Sequence, residues 1–215
     1  MKKRFVKSIN NEVSKIGFGT WQLAQNDTWG TMSEQDAINL VKTAYKSGVN
    51  MFDTAPGYGG GSSEKILGKA LKGIRNEVVI NTKVGHGPNG EYEFTVEGIR
   101  HSINRSMKNL NTDYLDSVIL HNPESYILEG NNPLVDELRK IKQEGLIKGY
   151  GFSIDTLEQL ESVLNTFDDL NTIEIMFNII HQKPKNLFNE LLKRGIFLII
   201  KVPLDSGWLT GKYNK

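Results

Sequence analysis

Short, nearly continuous apolar runs alternate along the chain with longer stretches whose apolar residues recur on one face. Apolar runs of this kind indicate strands that are buried on both faces. They lie at residues 15–20, 49–54, 78–83, 114–120, 148–154, 172–178 and 197–203, and a small hairpin is predicted before them at 4–16.

The intervening stretches have helical periodicity. The first helix is predicted to begin at Ser33, because Ser33 and Asp36 have the spacing of a capping box, and to end before Gly48, which suits the C′ position. The apolar residues of that stretch share one face. They are Ala37, Ile38, Val41, Ala44 and Tyr45.

Three further helices have recognisable starts. Ser62 or Ser63 is predicted to cap one helix, with Glu64 near its positive end. A second is predicted over Thr95–Leu110, and a third begins with the pair Asp155 and Glu158. Helices with one apolar face between apolar strands predict a parallel sheet covered by helices.

Two parallel architectures fit this alternation: an open doubly wound sheet and a closed (β/α)₈ barrel, and both place their sites at the carboxyl ends of strands. Polar residues follow at least five of the predicted strands, which favours the TIM barrel because an open sheet concentrates its site at one switch point. They are Thr20, Trp21, Asp53, Lys83, His121, Ser153 and Lys201. The α/β barrel is predicted as a single domain over residues 1–215.

A glycine cluster at residues 57–61 raises the alternative of a phosphate-binding loop. Gly57, Gly59 and Ser62 give G-x-G-x-x-S, which lacks the third glycine of the dinucleotide fingerprint. The loop also follows the second predicted strand, and no acidic residue ends the next strand, where Lys83 stands. The cluster is therefore interpreted as a loop that holds a reactive side chain, Tyr58.

Asp53, Tyr58, Lys83 and His121 can together form a general acid–base centre. A tyrosine with its ordinary pKa near 10 is a poor proton donor, and a neighbouring lysine ammonium is expected to lower that pKa. An aspartate keeps the lysine charged, and a histidine can orient a carbonyl oxygen. Each residue alone has a plain structural explanation, but their shared position at one rim favours catalysis.

Composition adds few constraints. The formal net charge of +1 gives no reason to expect nucleic acid or an acidic membrane surface as a partner. There is no cysteine, which removes thiol chemistry and fits a cytoplasmic location. No stretch resembles a signal peptide or reaches the roughly 18 apolar residues of a membrane helix, and the four histidines have no close metal-ligand spacing, so no metal is predicted.

From about residue 15 onward the sequence resembles the aldo-keto reductase family. The segments that carry the resemblance are FDTAPGYGGGSSEKILGKAL, NTKVG, LDSVILHNPE, IKGYGFSI, IEIMFNIIHQKP and PLDSGWLTGKY. The resemblance implies a (β/α)₈ barrel in which Asp53, Tyr58, Lys83 and His121 are catalytic. Tyr58 would be the general acid while NAD(P)H supplies hydride to an aldehyde, ketone or sugar carbonyl.

The resemblance also implies cofactor contacts, with NADPH expected and NADH possible. Ser153 matches a serine that binds the nicotinamide carboxamide, Glu174 stands where a carboxamide-binding glutamine is usual, and Lys201 replaces a ring-stacking tyrosine. Asp53 and the loop after the first strand, Gly19, Thr20 and Trp21, lie near the cofactor. A loop over the pyrophosphate is matched by Pro203, Leu204, Ser206, Gly207, Leu209, Gly211 and Lys212.

The small-molecule substrate is expected to contact Trp21, Trp29, Tyr58, His86 and His121. Two other functions remain open at this stage: a Schiff-base lyase or aldolase that uses Lys83 or Lys201 as an amine nucleophile, and a barrel that binds cofactor without catalysis. Seven core strands are predicted where a barrel needs eight, so we expect that the last βα unit and the usual adenosine-binding segment lie outside this chain.

Overall fold

The computed structural model describes residues 1–23, 30, 32–130 and 132–213 of the 215-residue chain. A two-stranded antiparallel hairpin precedes a seven-stranded parallel sheet. The hairpin consists of β1 (Lys3–Val6) and β2 (Asn11–Ser14). The strands of the sheet, which follow one another in chain order, are β3 (Phe18–Gly19), β4 (Met51–Asp53), β5 (Val79–Val84), β6 (Ser117–His121), β7 (Tyr150–Ile154), β8 (Thr172–Met176) and β9 (Phe197–Lys201). All seven predicted strands are present, each shorter than its apolar run or shifted by one residue.

Helices connect the successive strands and cover the sheet. They are α1 (Glu34–Lys46), α2 (Ser62–Ala70), α3 (Val96–Leu110), α4 (Pro133–Gln143), α5 (Leu157–Thr166) and α6 (Phe188–Lys193). Their apolar faces pack on the sheet in one large core cluster. This architecture confirms the predicted α/β class with a parallel sheet.

The sheet is curled. A second, smaller core cluster joins Met51 of β4 and Val79 of β5 to Phe197 and Ile199 of β9, although β4 and β9 lie far apart in the strand order. Residues of the N-terminal hairpin complete this cluster, and the Ser14 backbone N–H donates to the Asn50 side chain (2.7 Å). The hairpin therefore closes the amino-terminal end of the curled sheet and leaves the carboxyl ends of the strands for the site.

Helix starts agree with the sequence in two cases. Ser33 accepts a hydrogen bond from the Asp36 backbone N–H (3.1 Å), and Gly48 follows the C-cap in a left-handed conformation (φ 92°). Thr95 caps α3 by accepting from the Gly98 N–H (3.0 Å). Among the described residues, no hydrogen bond joins the Ser33 or Thr95 side chain to a distant segment, so local rules decide.

Two predicted helix starts are wrong. The capping box of α5 is formed by Thr156 and Gln159, one residue beyond the predicted pair Asp155 and Glu158. The N-cap of α2 is Gly61, not Ser62 or Ser63. Tertiary contacts take two of the three expected capping side chains. Asp155 binds Lys201 (2.8 Å), and the Ser63 hydroxyl donates to the Thr20 carbonyl oxygen (2.8 Å).

Glu64 is fully buried between α2, α3 and β5. Its carboxylate accepts hydrogen bonds from the Thr82 hydroxyl (2.9 Å) and the Asn109 side-chain amide (3.0 Å). Its position in the first turn of α2 is favourable to the helix dipole, as predicted. Its contacts also hold α2 against the strand that carries Lys83.

Gly68 lets α2 and α3 approach closely. A Cβ atom there would lie 2.6 Å from the Asn109 carbonyl oxygen and 2.9 Å from that of Leu110. Glycine to alanine in a helix normally adds up to about 1 kcal/mol of stability. We expect Gly68→Ala to lower the free energy of unfolding by about 1–3 kcal/mol instead, because backbone must move. Urea unfolding measures it.

Lys65→Ala on the exposed face of the same helix is the control for this substitution and should change stability by less than about 0.5 kcal/mol. A stabilised Gly68→Ala variant would show that α2 and α3 can separate at little cost.

Candidate active site

Three neighbouring strands and one loop deliver the predicted catalytic residues to the carboxyl end of the sheet. Asp53 ends β4, Lys83 lies near the end of β5, and His121 ends β6. Tyr58 lies in the loop between β4 and α2, where its N–H donates to the Ala55 carbonyl (3.1 Å). Residues 59–61 are glycines with positive φ, which lets this loop turn tightly before α2 begins.

Lys83 and Asp53 form a buried ion pair. The Lys83 ammonium donates to both Asp53 carboxylate oxygens (2.8 and 2.7 Å) and to the Thr54 carbonyl oxygen (3.1 Å). Asn81 adds a further hydrogen bond to Asp53 from its side-chain amide (2.7 Å). Burial disfavours the ammonium, but the Asp53 and Glu174 carboxylates outweigh it and raise the pKa of Lys83. Lys83 is therefore held as a cation.

Tyr58 lies against this cation. The Lys83 ammonium donates to the Tyr58 hydroxyl oxygen (3.3 Å). Burial raises the pKa of Tyr58 to about 12, although the positive charge of Lys83 lowers it. The expectation that the lysine would bring this pKa below its ordinary value is wrong. Burial destabilises the phenolate more than the Lys83 ammonium stabilises it, because two carboxylates share that ammonium. Tyr58 keeps its proton at neutral pH.

His121 packs edge-on against Tyr58, with ring centroids 6.4 Å apart. Burial, together with the positive charges of Lys83 and Lys201, lowers the pKa of His121 to about 3. The imidazole is therefore neutral at physiological pH, with one N–H donor and one acceptor nitrogen. His86 lies next to it, 5.6 Å between ring centroids. A neutral donor beside Tyr58 can bind a carbonyl oxygen.

A second polar cluster lies beside the first. His121, Ser153 and Glu174 are in register on β6, β7 and β8. The Lys201 ammonium donates to Ser153 Oγ (2.8 Å) and the Asn122 side-chain oxygen (2.8 Å), and it pairs with Asp155 (2.8 Å). The sheet thus brings Ser153, Glu174 and Lys201 to one place, as the strand pattern predicts.

Glu174 joins the two clusters. Its carboxylate lies 3.4 Å from the Lys83 ammonium, accepts from the Asn81 amide (3.3 Å) and contacts the Ser153 hydroxyl (3.4 Å). Burial and the nearby Asp53 carboxylate raise the pKa of Glu174 to about 7. In this structure Glu174 contacts Lys83 and Asn81, the two residues that also bind Asp53.

Aromatic residues surround the mouth of the site. Trp21 lies 6.2 Å from Tyr58 between ring centroids, and His86 packs on Phe94 at 5.0 Å. Tyr92 and Tyr126, both exposed, bring their hydroxyls within 2.9 Å of each other. Trp29, also predicted to touch substrate, lies outside the described residues.

The predicted cofactor loop follows β9. Val202, Asp205 and Ser206 have positive φ, and so do Gly207 and Gly211. Asn178 anchors this loop from the β8 side, because its amide donates to the Val202 carbonyl oxygen (3.1 Å). Other residues of the loop are exposed to solvent: Leu204, Trp208 and Lys212. Alternation between right- and left-handed backbone presents N–H groups to anions.

Gly19 and Thr20 reach Asp53 through the backbone. Gly19 pairs in register with Asp53, and the Thr20 N–H and hydroxyl both donate to the Asp53 carbonyl oxygen (2.9 Å each). Thr20 is fully buried. This loop therefore fixes the edge of the site on the β3 side.

Within the described ranges, no group of three or more histidine or acidic side chains is arranged to hold a metal ion. In the same ranges, no helix combines the length and the apolar character needed to cross a membrane.

A model of the Aldo/keto reductase family matches residues 15–215. The chain belongs to this family. Membership confirms the predicted oxidoreductase class and barrel-type fold, and it gives no support to the lyase or to the purely cofactor-binding alternative.

Individual relatives agree with the family assignment. L-galactose dehydrogenase of Arabidopsis thaliana is 32% identical over 98% of this chain and 68% of its own length. The NADH-specific methylglyoxal reductase of Escherichia coli is 30% identical over 100% of this chain and 71% of its own length. The holo structure of an aldo-keto reductase from Bacillus halodurans superposes with a TM-score of 0.80 at 27% identity, covering 96% of this chain and 68% of that one.

Three asparagines of this aldo/keto reductase site were not predicted: Asn81, Asn122 and Asn178. Asn81 donates a hydrogen bond to Asp53, and Asn122 accepts one from the Lys201 ammonium. Asn178 holds the loop after β9. All three lie inside segments that carry the family resemblance, NTKVG, LDSVILHNPE and IEIMFNIIHQKP. The available signals were the positions of Asn122 and Asn178 just after strand ends and that of Asn81 two residues before Lys83 on β5.

Proposed function

We propose that this chain reduces an aldehyde, ketone or sugar carbonyl to the alcohol, or catalyses the reverse reaction, with NADPH as the preferred cofactor. The observation that carries the proposal is the buried centre in which Lys83 contacts both Asp53 and the Tyr58 hydroxyl. NADH is the competing cofactor, because the E. coli relative is named NADH-specific.

The residues present fit a nicotinamide cofactor. Ser153 and Asn122 offer a hydroxyl and an amide 3.1 Å apart at the strand ends, which suits the carboxamide. The left-handed turns of residues 202–211 and the exposed Lys212 suit the pyrophosphate. When bound, the cofactor supplies hydride to the carbonyl carbon.

The protein's own residues manage the proton. His121 is neutral and can donate a hydrogen bond that orients the carbonyl oxygen. Tyr58 then gives its hydroxyl proton to that oxygen as negative charge develops there. The tyrosinate that remains is stabilised by the Lys83 ammonium, which Asp53 keeps in place. In the reverse direction the tyrosinate accepts the alcohol proton.

A Schiff-base mechanism fits these contacts poorly. A nucleophilic lysine must lose its proton, whereas two carboxylates raise the pKa of Lys83. Lys201 is engaged by Asp155, Ser153 and Asn122. Both amines are held by acceptors.

We also propose that residues 1–215 form one domain and that the protein is cytoplasmic. The single large core cluster supports the first proposal. The absence of cysteine fits the second, since reducing compartments do not favour disulfides. The net charge of +1 supports a small-molecule substrate over a nucleic acid.

The experiment is cofactor oxidation followed at the reduced-nicotinamide absorbance band. We expect the protein, prepared at full length, to oxidise NADPH with methylglyoxal, an aromatic aldehyde or an aldose, and more slowly with NADH. Fluorescence titration with each cofactor separates binding from turnover. Binding of NADPH without turnover across this panel would contradict the proposed activity.

A further inference from the structure

One buried lysine, Lys83, is the ion-pair partner of two carboxylates. The Lys83 ammonium lies 2.7 Å from Asp53 and 3.4 Å from Glu174, and the Glu174 side chain is 3% exposed. A single cation cannot balance two anions in a region of low dielectric, and like charges that share a site raise one of the two pKa values. One carboxyl group must therefore hold a proton over part of the physiological pH range.

The contacts identify Glu174 as the group that holds the proton. Both oxygens of Asp53 accept from Lys83 at 2.8 Å or less, Asn81 adds a bond of 2.7 Å, and the side chain is 17% exposed. Glu174 is more buried, and its contacts with Lys83, Asn81 and Ser153 are 3.3–3.4 Å long. Asp53 is thus the better-compensated anion.

We propose that Glu174 acts through Lys83 as a charge switch: Tyr58 releases its proton readily when Glu174 is protonated and poorly when Glu174 is ionised. The inference rests on the proposed reductase function and deepens it. Glu174 is a positioning residue, because it contacts Lys83 and does not reach the Tyr58 hydroxyl in any described hydrogen bond.

Charge balance gives the reason. Proton transfer breaks the Tyr58 O–H bond, forms an O–H bond on the substrate oxygen and leaves a tyrosinate. With Glu174 protonated, the group of Tyr58, Lys83, Asp53 and Glu174 goes from neutral to one negative charge. With Glu174 ionised, it goes from one negative charge to two, and the second charge costs more in a buried site.

The other groups that face Glu174 fit this assignment. Lys201 of β9 favours the ionised form, but its ammonium is paired with Asp155 (2.8 Å). Asp53 of β4 opposes ionisation and Lys83 of β5 favours it, while burial is the largest influence and raises the pKa of Glu174 to about 7. Ser153 of β7 is uncharged.

The test compares Glu174→Gln with the wild-type chain. Wild-type kcat for carbonyl reduction should fall about tenfold per pH unit above about pH 7. The Glu174→Gln variant, which cannot ionise, should lack this inflection and exceed the wild type by roughly tenfold at about pH 8. Glu137→Gln changes a buried carboxylate paired with Arg100 away from the site and should retain the inflection.

Two measurements do not need turnover. Infrared titration should show a carboxylic acid carbonyl band that disappears as the pH rises through neutrality and is absent in Glu174→Gln. In addition, the raised pKa means that folded wild type loses stability, relative to this variant, as the pH rises from the ordinary value of 4.5 to about 7. Unfolding midpoints across this range measure the loss.

The outcomes separate the two proposals. A wild type without turnover removes the proposed function, and the infrared band and unfolding midpoints then decide whether Glu174 holds a proton. Turnover with the same neutral inflection in both chains overturns the switch, whether or not the infrared band is present. A missing band in the wild type overturns the protonated state itself.

Discussion

Replacing Tyr58 with phenylalanine is expected to lower kcat for carbonyl reduction by about 10²–10⁴-fold, the contribution of a positioned general acid. The ring and its packing against His121 and Trp21 remain, so the dissociation constant for NADPH should be nearly unchanged. Steady-state kinetics with one aldehyde and fluorescence titration of the cofactor measure the two quantities. Loss of kcat without loss of binding would identify the hydroxyl as the proton donor.

Tyr45→Phe is a matched control, because it removes a hydroxyl that bonds to Glu77 on the outer surface of the protein. Its kcat should equal that of the wild type. If Tyr58→Phe retained turnover within a few-fold of the wild type, another group would have to donate the proton, and the mechanism proposed for this site would be wrong.

The site could be predicted from the sequence because parallel strands bring their carboxyl ends to one edge. Asp53, Lys83 and His121 each stand at or near the end of an apolar run, and the structure places them on adjacent strands. Tyr58 follows from the glycine cluster that turns the loop. Periodicity is a local property, and strands that follow one another in sequence usually lie side by side in such a sheet, so the pattern of the chain carries this information.

Hydrogen bonds and ion pairs between side chains of different elements could not be predicted from the sequence pattern in the same way. The hydroxyl of Ser63 is a good helix cap by local rules, but it bonds to Thr20, which is distant in sequence. Asp155 likewise binds Lys201 rather than beginning α5. Such contacts depend on how distant segments of the chain pack together, and at both positions they override the local capping preference.

The charge state of the site depends on burial, which residue types alone do not give. The sequence predicts a lysine near Tyr58, and the charge of this lysine does act to lower the tyrosine pKa. Burial acts in the other direction and is larger, so the pKa rises to about 12. Glu174 changes the balance again, since it adds a negative charge that a neutral glutamine would not.

Replacing Lys83 with methionine is expected to lower the free energy of unfolding by about 3–5 kcal/mol at neutral pH, the typical cost of an uncompensated buried charge. The variant keeps the volume of the side chain but leaves Asp53 and Glu174 without their shared cation. Urea unfolding measures the loss. The deficit should shrink as the pH falls, because carboxylates left without the ammonium lose their charge when they bind protons.

Lys69→Met is the matched control for this substitution. Its ammonium lies 2.7 Å from Glu34, the same distance as that between Lys83 and Asp53, but both side chains are more than half exposed. We expect a loss of at most about 1 kcal/mol there, since exposed ion pairs contribute little. In alkaline solution, where Glu174 is ionised, the double variant Lys83→Met with Glu174→Gln should recover part of the stability lost by Lys83→Met alone, because one buried charge is gone. A loss of similar size for Lys69→Met and Lys83→Met, or a deficit that does not depend on pH, would mean that burial does not set the strength of this ion pair.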